Sequence, residues 1–191
     1  MILKVNGHLF IFFFLFATHC GYTLKHSLKD IFITQKGIFV PVFDNRTDET
    51  GIEKIFTNAM LRELKNHEEI ILTNQKEGAL ELKGEITKII RNPTAYTDTG
   101  FRGLQSYVRL PSEYGVEVQL KLVLWDNQKK ETLWSESFSS FRRVDAPINR
   151  TYDFQAPSSI GPITDSLIES TYAMIARDVM KDVYDRMVVL F

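Results

Sequence analysis

Hydrophobic residues fall along this chain in three distinct rhythms. The first is a plain apolar run, Leu9 to Ala17, which contains five Phe and is followed by a polar pair and Cys20. The second is alternation. Leu80, Leu82, Gly84 and Ile86 interleave with Glu81, Lys83, Glu85 and Thr87, and Val116 to Leu124 repeats the pattern more cleanly. A period of two is that of a half-buried strand. The third is helical. Ile52, Ile55, Phe56, Ala59, Met60 and Leu64 recur every three or four residues, as do Ile168, Tyr172, Ile175, Val179, Val183 and Met187. Each set predicts one apolar stripe, on helices ending near Leu64 or Lys65 and spanning Ile163 to about Val188.

Between these lie shorter signals. Gly37 to Phe43 reads as a buried strand broken by Asp44-Asn45-Arg46, and Thr50-Gly51-Ile52-Glu53 has the form of a capping box for the first helix. Ile70 to Leu72 is a short strand candidate. Asp126 to Lys130 is a polar turn joining the Val116 strand to a second one over Thr132 to Phe141, giving a hairpin. Four strands and two one-sided helices predict an α+β fold, a two-layer sandwich with both helices on one side of the sheet. Arg91 to Gly115 and Arg142 to Pro162, each over 20 residues with Pro and Gly and no clear period, are expected to be long loops.

Length and charge narrow the classes. The chain has 191 residues, 25% of them charged, with 23 basic against 24 acidic side chains. One domain of ordinary size follows, and a net charge of -1 argues against binding nucleic acid through a general field. The nine-residue run from Leu9 is far below the roughly 20 residues that span a bilayer. With Lys4 before it and small residues at its end, residues 1–19 are expected to be a secretory signal, leaving 20–191 as a single periplasmic domain. A single Cys cannot form an internal disulfide. Cys20 sits at the cleavage boundary, where bacterial lipoprotein signals place the residue that receives acyl chains, and lipidation removes an exposed thiol from an oxidising compartment.

The search for chemistry finds little. His26 and His67 are far apart and lack partners with metal-ligand spacing, so no metal site and no cofactor are expected. No nucleophile elbow, P-loop or dinucleotide fingerprint occurs, and Glu81, Glu85 and Glu117 read as a solvated sheet face. An enzyme is not expected. The two long segments are locally basic: Arg91, Arg102 and Arg109 oppose Asp98, and Arg142, Arg143 and Arg150 oppose Asp145. With Lys129 and Lys130 at the hairpin tip, they suggest an anion-recognising surface. The C-terminal helix, in contrast, carries five acids against three bases between Asp165 and Arg186.

Cys20 to Leu24, Val40 to Glu53 and Thr57-Asn58-Ala59 carry a resemblance, with Ser112-Glu113-Tyr114, Trp125-Asp126 and Glu131 to Trp134 continuing it. The chain resembles the LptE family of lipopolysaccharide-assembly outer-membrane lipoproteins over nearly its whole mature length. The Asn45-Arg46-Thr47 stretch through Glu53 is its most specific part. The resemblance implies two helices on a mixed four-stranded sheet and an anchored location at the periplasmic face of the outer membrane. It also implies service as plug and assembly partner of an LptD-like β-barrel, with lipopolysaccharide as the bound cargo. Arg91, Arg102, Arg109, Lys129 and Lys130 are the candidate glycolipid contacts, on charge and placement alone. A second class remains open: a periplasmic interaction lipoprotein serving cell-wall synthesis or a secretion channel.

Overall fold

Alternating and helical periods resolve into two layers. A computed structural model describes residues 37–68, 70–77, 79–97, 110–146 and 165–189. The order is β1 (Ile38–Phe39), β2 (Asp44–Asn45), α1 (Ile52–Lys65), β3 (Leu80–Thr97), β4 (Leu110–Asp126), β5 (Glu131–Asp145) and α2 (Asp165–Val189). The sheet is mixed, an α+β arrangement as expected. It runs β1-β3-β4-β5, with β2 also on β3; β1 and β2 lie parallel to β3, and β3, β4 and β5 are antiparallel neighbours.

One face of this sheet forms the floor of the core. Leu82 and Ile86 of β3, Val118, Leu120 and Leu122 of β4, and Trp134 and Phe138 of β5 are all buried. Against them lie Ile52, Phe56, Met60 and Leu64 of α1, spaced by four residues, and Tyr172, Ile175, Val179, Val183 and Met187 of α2. Thr57 is the polar member of that layer. Its hydroxyl donates to the Glu53 carbonyl at 2.6 Å and accepts the Phe43 N–H at 2.9 Å, so it is satisfied both ways while tying α1 to the chain before it. At the far end of α1, His67 stacks on Tyr184 of α2 with ring centroids 3.5 Å apart.

Several expectations need correction. The Gly37 to Phe43 run contains one brief parallel pairing, at Ile38–Phe39, and Asp44-Asn45 forms a second one rather than ending a strand. Pro41 between them has no N–H to give a ladder. Ile70 to Leu72 contributes only a single bridge, Leu72 to Ile38. Thr50 and Glu53 form no capping box: Gly51 is the N-cap residue, in the left-handed region at φ 87°, and no side chain caps the helix. The two long segments are not loops throughout. Residues 91–97 continue β3, 110–115 begin β4 and 142–145 complete β5, while 98–109 and 147–164 lie outside the described residues.

The outer face of the sheet is not solvated throughout. Glu81 is only 3% exposed, with Lys76 at 3.2 Å and Lys83 at 3.5 Å; Lys83 in turn lies over the Trp125 ring. Glu117 does behave as a surface carboxylate. It accepts hydrogen bonds from Gln119 and Ser139, which hold its pKa below the usual carboxylate value.

Candidate functional site

The stretch from Asn45 to Glu53 is a hydrogen-bonded unit centred on one side chain. Asn45 Oδ1 accepts the Thr47 N–H at 2.9 Å and the Thr47 hydroxyl at 2.7 Å. Its Nδ2 donates to the Glu49 carbonyl at 2.7 Å and to Glu53 Oε2 at 3.2 Å. All four bonding positions of the amide are therefore used. Arg46 fastens the unit to β3, its N–H on the Ile86 carbonyl at 2.9 Å and its Nε on Glu85 at 3.0 Å. Asn45, a strand breaker by sequence, folds the entry into α1.

A prediction follows for this residue. Asn45→Ala removes four bonds in a half-buried setting, each with a net worth of about 0.5–1.5 kcal/mol, and is expected to cost about 2–3 kcal/mol in chemical denaturation. Asn45→Asp keeps both acceptors but sets a carboxylate against Glu53, so it is expected to be destabilising at neutral pH as well.

Beside this unit, the loop before α1, the middle of β3 and the first half of α2 enclose an open cavity of about 460 Å³. Arg91 reaches into it from β3 and is ion-paired with Glu49. Asp48 and Glu169 add two more carboxylates, and Ile52, Ile55 and Ile168 form apolar walls. From α2 comes Tyr172, 4% exposed, whose hydroxyl is buried without a hydrogen-bond partner. Such a group costs about 1–3 kcal/mol. Burial pushes the Tyr172 phenol above its ordinary pKa, the Arg91 charge pulls it back and Glu49 raises it further.

The candidate cations are not gathered in one patch. Arg91 pairs in register with Val116, whereas the hairpin tip follows Asp126, ten residues and about 33 Å further along β4. At that tip the Asp126 carboxylate accepts the N–H groups of Gln128 at 2.7 Å and Lys129 at 3.0 Å, Lys130 takes a left-handed φ of 59°, and Lys129 lies 3.9 Å from Glu131. Arg102 and Arg109 lie outside the described residues, as does Cys20. Of the second basic segment, Arg142 is bonded to Asp178 of α2 at 2.7 Å and Arg143 approaches Glu113 at 3.8 Å. Among the described residues, no cluster of His, Cys, Asp and Glu is placed to hold a metal ion. No described helix is long and apolar enough to cross a membrane.

No family model matches the chain, and no curated protein matches it in sequence. Solved structures do follow a similar backbone course. A protein from Xanthomonas campestris has a TM-score of 0.49 at 7% identity, covering 80% of this chain and 84% of that one. Lipoproteins are among them. Rare lipoprotein B from Shewanella oneidensis gives 0.44 at 10% identity, covering 80% and 98%, and a minor lipoprotein from Acinetobacter baumannii gives 0.40 at 8%, covering 80% and 91%.

Proposed function

We propose that this chain is a lipid-anchored envelope lipoprotein that docks against an LptD-like outer-membrane β-barrel and assists the insertion of lipopolysaccharide, with no covalent catalysis of its own. The observation that supports this most is the Asn45 unit. The residues that carry the LptE resemblance, Asn45, Thr47, Glu49 and Glu53, are joined to one another by hydrogen bonds and set the entry into α1. They therefore act as a structural module, which supports the resemblance at the level of the fold. Cys20, directly behind the signal-like segment, supplies the anchor in this reading, and the periplasmic face of the outer membrane is the location.

The three candidate cations among the described residues differ in environment. Glu49 already neutralises Arg91, so it is a poor glycolipid contact. Lys129 and Lys130, exposed at the hairpin tip, are better placed to meet phosphate or carboxylate groups of the cargo. Depletion of the chain in its own cell tests the role. Loss of lipopolysaccharide from the surface, with cell-wall composition unchanged, is the expected result. Altered peptidoglycan beneath a normal lipopolysaccharide layer would replace this reading with the cell-wall one.

A further inference from the structure

α1 and α2 pack side by side, and on their solvent side an open groove of about 680 Å³ lies between them, from Ile55 to Asn66 on α1 and from Ala173 to Lys181 on α2. Three cations line it: Arg62 of α1 and, one turn apart on α2, Arg177 and Lys181. All three are exposed, and among the described residues none of their side chains makes a hydrogen bond or an ion pair. The contrast with the other described arginines is complete. Arg46, Arg91, Arg142, Arg143 and Arg186 each pair with a carboxylate, and the two that do not, Arg62 and Arg177, both line this groove. The carboxylates of the lining are engaged elsewhere: Glu63 is bonded to His67 at 3.3 Å and Asp178 to Arg142 of β5 at 2.7 Å.

Charge and wall structure together select the occupant. Arg177 and Lys181 are a like-charge pair four residues apart, unfavourable for α2 by itself and matched by carboxylates at the same spacing on another helix. A compact anion such as phosphate fits less well, because the cations are divided between two helices and Glu63 and Asp178 stand among them. The walls are helices, whose backbone groups are bonded within themselves, so an extended segment would leave its own N–H and C=O groups without partners. A helix brings its backbone already satisfied, and the small Ala59 and Ala173 in the lining let it approach closely. None of the longer segments outside the described residues is acidic. Residues 20–36 carry Lys25, Lys29 and Lys36 against Asp30, and residues 98–109 and 147–164 carry Arg102, Arg109 and Arg150 against Asp98 and Asp153.

We propose that the groove between α1 and α2 binds an acidic amphipathic helix of another protein, which lays apolar side chains over Ala59 and Ala173 and sets carboxylates against Arg177, Lys181 and Arg62. This is recognition of a helix in a groove, with apolar contacts for affinity and charge for selection. The inference is independent of the barrel partnership, since no strand edge takes part in it.

The full chain in detergent micelles, titrated with a stapled, Ala-rich helical peptide that carries a Leu stripe and Glu pairs one turn apart, and with the same peptide carrying Lys for Glu, tests this. The Glu peptide is expected to bind and the Lys peptide not. Arg177→Gln combined with Lys181→Gln is expected to weaken the Glu peptide about five-fold and to leave the melting temperature of the free chain unchanged, because both side chains are exposed and unpaired. Lys121→Gln, exposed on the opposite face of the sheet, is expected to leave the affinity unchanged. Equal binding of the two peptides, full affinity in the double variant, or an equal loss in Lys121→Gln would each overturn the proposal. Displacement of the Glu peptide by inorganic phosphate beyond that by sodium chloride of equal ionic strength, or by phosphatidylglycerol added to the micelles, would overturn it too, by making the groove a site for compact anions or lipid headgroups. A dimer of the free chain that the double variant dissociates would give the groove to a second copy instead.

Discussion

Gly84→Ala is expected to lower the stability of the folded domain by about 2–3 kcal/mol, a fall of about 5–10 °C in melting temperature. A Cβ at this position would stand 2.5 Å from two atoms of the Phe43 ring and 2.6 Å from a third. The ring cannot swing aside easily. Phe43 is buried, and its N–H is held by Thr57 of α1, so movement would disturb the contact between the β2 segment and the helix. The glycine is required by close approach here and not by its φ. Phe43→Leu provides the control. Alone it is expected to be destabilising by about 1–3 kcal/mol, yet with Gly84→Ala the two costs should fall short of their sum by about 1 kcal/mol or more, because the smaller side chain leaves room for the methyl group. Urea denaturation of the four chains measures that coupling, and strict additivity would place the strain elsewhere.

The second large effect concerns attachment. Cys20→Ser is expected to move the chain from the membrane fraction to the soluble one almost completely. In the proposed reading two or three acyl chains hold the mature N-terminus, each buried methylene contributing about 0.8 kcal/mol, whereas a single chain would give only marginal binding. Among the described residues, no helix offers a replacement span. Fractionation with immunoblotting reads the result directly. Retention of Cys20→Ser in washed membranes would show that something other than acylation holds the chain.

How far the sequence disclosed this molecule depended on whether a period continued without interruption. Both helices were legible to within about two residues because their stripes, Ile52 to Leu64 and Ile168 to Met187, are regular. β3 was legible only to Ile86. A register shift between Ile86 and Lys88 inserts an extra residue, after which Ile89 and Ile90 are both partly buried and the alternation no longer points at one face. Further shifts around Pro93 and Ala95 made a continuing strand look like a loop. At the N-terminal edge the same effect recurs: six residues separate Ile38 from Asp44, but their partners Leu80 and Glu85 are five apart.

The candidate site was less legible, for a different reason. Arg91 was visible as a cation, but its partner Glu49 lies 42 positions away and comes near only through the fold. Tyr172 was visible as one more residue of an apolar stripe. That its hydroxyl is buried without a partner, on a residue lining a cavity, depends on α1, β3 and α2 together, and no local pattern encodes it. Asn45 was legible only as part of a strand-breaking triplet, although Asn-x-Thr, which favours turns through the Asn side chain, is a local signal that points to its bond with the Thr47 N–H.

The partnership with a barrel is the central claim, and co-purification tests it most directly. A tagged chain, extracted from outer membranes in mild detergent and isolated by its tag, is expected to bring down a large β-barrel protein in stoichiometric amount, still bound after washing in high salt. Recovery of the chain from the outer membrane without any such barrel would contradict the account.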